Sequence, residues 1–201
     1  MSTSRAVRRR PRANHKAPPA SSVLPPTVSR PALLEGGSDG RFRTLVHDLL
    51  TIATRMELLR GYLGARMGVS GPQYSVLIAV AHLQGDSGAS VTALARALHV
   101  SKAFIASETG KLAQRGLVHK RQNPHDRRGV LLSIAPAGRL EIGRIGAEIR
   151  RINDLFFGAL DAKAFAALST AIGTLVASSR RAVHYIGDGE RDARAALEAA
   201  E

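Results

Sequence analysis

From residue 40 onward apolar residues recur at spacings of three and four. Phe42, Leu45, Leu49, Ile52, Met56, Leu59 and Leu63 write one stripe along a long helix, and Gly64 and Gly68 punctuate its end. After Ser70-Gly71-Pro72, the run Tyr74, Leu77, Ile78 and Ala81 predicts a short second helix with proline in its first turn. Gly85 to Ala89 is expected as a loop, Ser90 as the cap of a third helix carrying Val91, Leu94 and Leu98, and His99-Val100 as a tight turn. Ser101 then caps a fourth helix through Ile105, Thr109 and Leu112 to Arg115, ended by Gly116.

The pattern changes at Leu117-Val118, which predicts a short strand, with Val130 to Ile134 as its partner and the polar stretch Lys120 to Gly129 as the loop between them. Two short helices joined by a tight turn and followed by a hairpin outline a helix-turn-helix with a two-stranded wing. Pro136 and Gly138 open another long helical region. Ile142, Ile145, Ile149, Ile152 and Phe156 form one stripe, and Phe165, Leu168, Ile172 and Leu175 a second after a break at Gly158 to Asp161. A small winged domain cannot bury stripes of that length. A second copy of the chain is the simplest cover, which makes Ile142, Ile145, Ile149, Ile152, Phe156, Phe165, Leu168 and Ile172 the expected dimer interface; a monomeric hairpin packed on the first helix is the alternative.

Composition narrows the partners. In 201 residues, 29 Lys plus Arg against 16 Asp plus Glu leave a net charge of +13, so a polyanion is the first partner to consider. The absence of Cys excludes a disulfide scaffold, a thiolate metal site and a cysteine nucleophile, and fits a cytoplasmic location. No apolar stretch is expected to approach the roughly 18 residues of a membrane-spanning helix, so no membrane partner is expected. Residues 1–34 hold seven basic and no acidic residues and six of the nine prolines, which reads as a disordered basic arm that either tracks phosphates or serves solubility alone.

Between Lys102 and Arg128 there are seven basic and two acidic residues, where a winged domain would meet DNA. On the fourth helix Thr109 and Leu112 fall within about 40° of Ile105, and Ala103, Ser107, Gly110 and Gln114 fall on the opposite side. That outer side is small and lets the backbone approach a major groove. Ser101, Lys102, Ala103, Ser107, Lys111 and Gln114 are the expected contacts from this helix, and Lys120, Arg121, Asp126, Arg127 and Arg128 those from the wing. The alternatives are a solvated helix face and an ordinary charged hairpin begun by Asn123-Pro124. An enzyme is not supported: Gly110-Lys111 lacks the glycine of a phosphate loop five residues upstream, and Pro72 breaks the nucleophile-elbow pattern in Gly68 to Pro72. His119 and His125 lack a complementary ligand set, so neither metal nor cofactor is expected.

The segments Gln73 to Leu77, Thr92 to Ala95, Lys111 to Val118 and Asp126 to Gly138, in that order, resemble the MarR family of bacterial transcription regulators. The wing motif, Asp-x-Arg followed by a strand and the start of a helix at Pro136-Ala137-Gly138, is the most specific part of the likeness. The fourth helix departs from the family pattern, with Ala103, Phe104, Ala106 and Ser107 where Ser, Thr and Arg are common and Glu108 where an apolar residue is frequent. The resemblance implies a mainly α fold, a winged helix-turn-helix domain with a two-stranded β wing plus long N- and C-terminal dimerisation helices. The expected boundaries are a disordered arm at 1–38, a family domain at 39–186 with the winged part at about 72–136 and dimerisation helices at about 40–64 and 137–186, and a tail at 187–201. It implies that Asp126 holds the Arg128 guanidinium in an adjacent minor groove, and that the protein is a homodimeric repressor on a palindromic operator. It also implies a small effector, such as an aromatic acid, between the dimer helices and the winged domain. Asp48, Thr51, Arg55 and Tyr62 share a flank of the first helix and are the expected pocket residues, with Arg55 for a carboxylate and Tyr74 and His82 opposite. A constitutive architectural DNA-binding protein without ligand response is the competing reading.

Overall fold

The computed structural model describes residues 25–124 and 126–198, with side chains described except at 127, 128 and 187–198. Expectations for the arm up to residue 24 and for His125 lie outside the described residues. The chain divides into two compact units, residues 1–55 and 56–201. Helix α1 (Gly40–Arg66) runs through the boundary.

In the first unit the expected disordered arm gives way to local structure before α1 begins. Pro31–Leu33 form a single 3-10 turn, and Glu35 and Ser38 pair as a bridge. The Asp39 carboxylate accepts from the backbone N–H of Thr27 at 2.7 Å and its hydroxyl at 2.8 Å, and pairs with Arg43 at 2.7 Å. The Thr27 N–H, as the main cause, holds the Asp39 carboxyl below the ordinary Asp range. Composition alone hid this anchor, because one acidic side chain supplies three polar contacts and no apolar core is needed.

The second unit is the winged domain with the helices that follow it. Helix α2 (Gly71–Leu83) opens with a reciprocal cap: the Ser70 hydroxyl accepts from the Gln73 N–H and the Gln73 side chain accepts from the Ser70 N–H. Tyr74, Val76, Leu77 and Val80 are buried along it, so α2 lies at the centre of the core rather than on a surface. Strand β1 (Ala89–Ser90), α3 (Val91–Leu98) and α4 (Lys102–Gln114) follow, then β2 (Val118–Asn123), β3 (Asp126–Ile134), α5 (Pro136–Phe157) and α6 (Ala162–Glu198). Leu94, Ile105, Leu112, Leu132 and Ile145 join α2 in one hydrophobic core.

The sheet corrects two expectations. It has three strands in the order β1-β3-β2, all antiparallel, because Ala89 and Ser90, read as loop and cap, pair with Leu132 and Leu131. The β2–β3 ribbon also extends through most of the expected loop, to Asn123 paired with Asp126. Its outer residues His119, Lys120, Arg121 and Gln122 are all polar and exposed, so backbone pairing holds the ribbon and no apolar alternation announces it.

The late helices correct three more. Ile145 is 1% exposed within its own chain's core, and Ile142, Ile149 and Ile152 pack partly against that core. The α5 stripe, expected at a dimer interface, therefore faces the winged domain. Helix α6 continues to Glu198, through the expected tail boundary at 187. Finally, Ala162–Ile186 is long and apolar enough to cross a membrane by length and composition, contrary to the expectation that no such stretch exists. The uncharged segment 164–179 is built largely from Ala, Ser and Thr, which dilute an obvious apolar run without adding charge.

Candidate nucleic-acid interface

The helix-turn-helix is set by two serine caps and one left-handed residue. The Ser90 hydroxyl accepts from the Ala93 N–H at 3.1 Å to start α3, and the Ser101 hydroxyl accepts from the Phe104 N–H at 3.0 Å to start α4. Between them His99 takes φ 54°, the one non-glycine residue with positive φ among the described residues. That conformation turns the chain within three residues, and it is sterically costly for a side chain with a Cβ. Ser101, an expected DNA contact, thus has its hydroxyl committed to the helix cap.

Ile105, Thr109 and Leu112 are fully buried, and the Thr109 hydroxyl donates to the Ile105 carbonyl at 2.7 Å. Ala103, Ser107 and Gln114 are exposed, as the helical wheel requires, and Lys102 and Lys111 are exposed as well. The wing reaches back to this face: a Cβ on Gly110 would lie 3.8 Å from the Lys120 Nζ. The outer side of α4 is therefore a shallow surface of small side chains with a lysine from β2 beside it.

Other expected contacts are partly engaged by the chain itself. Arg121 donates to the Ser87 carbonyl at 2.5 Å, tying β2 to the loop before β1. Lys111 Nζ lies 2.6 Å from the Glu108 carboxylate, which is itself buried. Arg115 donates to the Gly68 carbonyl at the end of α1. At the ribbon tip a Cβ on Gly129 would lie 3.1 Å from the Asp126 carboxylate, and Arg127 and Arg128 occupy β3.

The expected effector residues are divided between the two units. Asp48, Thr51 and Arg55 belong to the first unit, where the Thr51 hydroxyl donates to the His47 carbonyl. Tyr62, Tyr74 and His82 belong to the second, and His82 is exposed near the end of α2. Tyr62 donates to the Glu148 carboxylate, which also accepts from Arg66 Nε at 3.1 Å. The Tyr62 hydrogen bond, ahead of that of Arg66, holds the Glu148 carboxyl below its usual range and in turn raises the Tyr62 phenol.

Tyr74 lines a cavity of about 110 Å³ with Met56, Leu63, Ile152 and Phe156. Arg60, not singled out in the sequence, lines this cavity and a second of about 170 Å³ with Pro72, Val76, Leu98 and Phe104. Its Nη2 pairs with Glu57, its Nη1 is 3.5 Å from the Ser75 hydroxyl, and its Nε is buried without a partner among the described residues. Only the fold reveals it, since a single Arg beside an apolar stripe carries no sequence signal.

A helix pair with a serine-capped, small-faced second helix and a basic ribbon beside it defines a winged helix-turn-helix protein of the DNA-binding class. Residues 67–129 match the model of the MarR family. Among similar solved structures is the PcaV transcriptional regulator from Streptomyces coelicolor in complex with its natural ligand. It is 26% identical, with 64% of this chain and 91% of that one covered and a TM-score of 0.51. MepR from S. aureus in complex with DNA is 12% identical over 66% of this chain and 96% of that one, with a TM-score of 0.57. A mutant MarR from E. coli complexed with operator DNA is 17% identical over 67% and 95%, with a TM-score of 0.56. No curated protein sequence matches the chain.

Proposed function

We propose that the protein is a homodimeric repressor that binds a palindromic operator and is released from it by a small anionic ligand, as a cytoplasmic regulator. The observation that carries the DNA half is the exposed outer face of α4 with Lys120 beside it. Lys102, Ala103, Ser107 and Gln114 face the major groove, and Lys120, Arg121 and Arg127 meet phosphate. Arg128 enters the flanking minor groove, held there by Asp126. Similar proteins solved with DNA, MepR and MarR, support this assignment.

Dimerisation follows from α6. Its apolar residues Phe165, Leu168, Ile172, Leu175 and Val176 lie on one side and stay between 38% and 59% exposed. Lys163, Thr170, Thr174 and Arg181 lie on the other side of the helical wheel. A membrane-spanning helix is apolar all round, whereas a one-sided stripe needs a partner helix. The second copy supplies that partner and places two α4 helices for two half-sites.

For the effector, Arg60 replaces Arg55 as the residue that pairs a carboxylate. Its buried, unpartnered Nε adjoins two cavities, the larger of about 170 Å³ and lined by Glu57 and Ser75 as well as by Val76, Leu98 and Phe104. PcaV, solved with its natural ligand, supports a ligand-responsive reading. Titrating DNA-bound protein with a panel of single-ring acids tests it. Release of the parent protein and loss of that response in Arg60→Ala with DNA binding retained is the expected result; indifference of the parent to the whole panel contradicts the sensor reading.

A further inference from the structure

Helix α4 carries a carboxylate where a DNA-facing helix would ordinarily avoid one. Glu108 is 7% exposed, one turn from the fully buried Ile105 and Leu112. On the wheel it shares a flank with Phe104, Lys111 and Arg115, between the core side and the outer face. A buried carboxylate requires a partner, and its partner is the Lys111 ammonium at 2.6 Å. The next cation along the flank, Arg115 at the C-cap, donates to the Gly68 carbonyl and keeps its charge. Lys111 is therefore the one cation among the residues of the C-terminal half of α4, and its charge is matched within the chain.

That commitment bears on how the helix discriminates DNA. Non-specific affinity comes almost entirely from cations that displace counterions from phosphate, each adding about 0.9 to the dependence of log K on log salt. A lysine neutralised by a buried glutamate adds net zero charge and releases no counterion. The small outer face of α4, which reads bases by close approach, gains selectivity if the adjacent flank offers no sequence-independent attraction.

We propose that Glu108 is a specificity-determining positioning residue: by holding Lys111 aside it withdraws that cation from phosphate and lowers non-specific DNA binding. The inference rests on α4 meeting DNA. The test uses the full-length protein and a duplex of mixed sequence, with affinity measured by fluorescence anisotropy across a salt series. Glu108→Gln, close to isosteric, frees Lys111. The expected result is tighter binding at low salt and a slope steeper by about 0.9 for each recognition helix on the duplex.

Adding Lys111→Gln to that variant should return the slope to the parent's value, and Glu108→Met, which keeps the packing volume, should repeat the steepening. A merely structural role would lower Tm and leave the slope of the folded protein where it was. An unchanged slope in both Glu108 variants, or a shallower one, as when the carboxylate presents Lys111 to phosphate, overturns the proposal. Absence of any duplex affinity in the parent overturns the DNA-binding reading as well, so the two failures are distinguishable.

Discussion

Gly138, the third residue of α5, sits where a Cβ would come within 2.2 Å of the Leu117 carbonyl oxygen and 3.1 Å of Ile134. Backbone is the obstacle, so no side-chain rotation relieves it. Gly138→Ala should destabilise the winged domain by about 1 to 3 kcal/mol, read as a lowered midpoint in denaturant. Asp39 gives a second residue-scale test. Because its folded carboxyl is depressed by the Thr27 N–H, the Thr27 anchor should be fully present above the ordinary Asp pKa of about 3.9 and be lost as pH falls through the lower folded value. The Thr27 amide resonance should shift only in that acidic window; a shift centred near neutral pH would assign the anchor to another group. Glycine and proline spacing made Gly138 conspicuous in the sequence, whereas the Thr27–Asp39 contact spans twelve residues of unremarkable composition and was illegible.

At the scale of elements, the stripes showed where helices run but not what each covers. The α5 and α6 isoleucine and leucine patterns are alike in sequence, yet Ile145 is 1% exposed and Leu168 is 41% exposed. Periodicity defines a buried side without naming the neighbour, and only the packed core shows that α5 serves its own winged domain. The two helices should respond differently to substitution. Ile145→Ala should cost about 2 to 5 kcal/mol of folding stability. Leu168→Asp should leave the monomer folded and weaken self-association by about 100-fold or more in sedimentation, with DNA affinity falling in parallel. An unaffected dimer would move the interface off α6. For α4, Gly110→Ala should raise helix stability by up to about 1 kcal/mol while lowering DNA affinity, because the added methyl sits between the helix and Lys120 on the groove-facing side. A variant with both properties improved would place Gly110 away from DNA. The caps at Ser90 and Ser101 were legible because capping is local chemistry, whereas the ribbon from His119 to Gln122 was not, because its pairing is purely backbone.

For the whole molecule, a basic wing beside a small-faced helix, and a long helix with an uncovered apolar side, are the features on which the proposed dimer and its two half-sites rest. In that proposal the net charge of +13 brings the protein to DNA, while α4 and Arg128 decide where it stays. The cavity at Arg60 proposed for the effector was beyond the sequence because three helices, α1, α2 and α5, meet around it and no local pattern encodes that meeting. Symmetry is the property that joins these parts, and selection of bound sequences from random duplex DNA by the full-length protein measures it directly. One enriched inverted repeat is expected, with half-site centres about 10 base pairs apart and A·T-rich positions flanking it under the wings. A single unrepeated motif, or no enrichment over the starting pool, would contradict it.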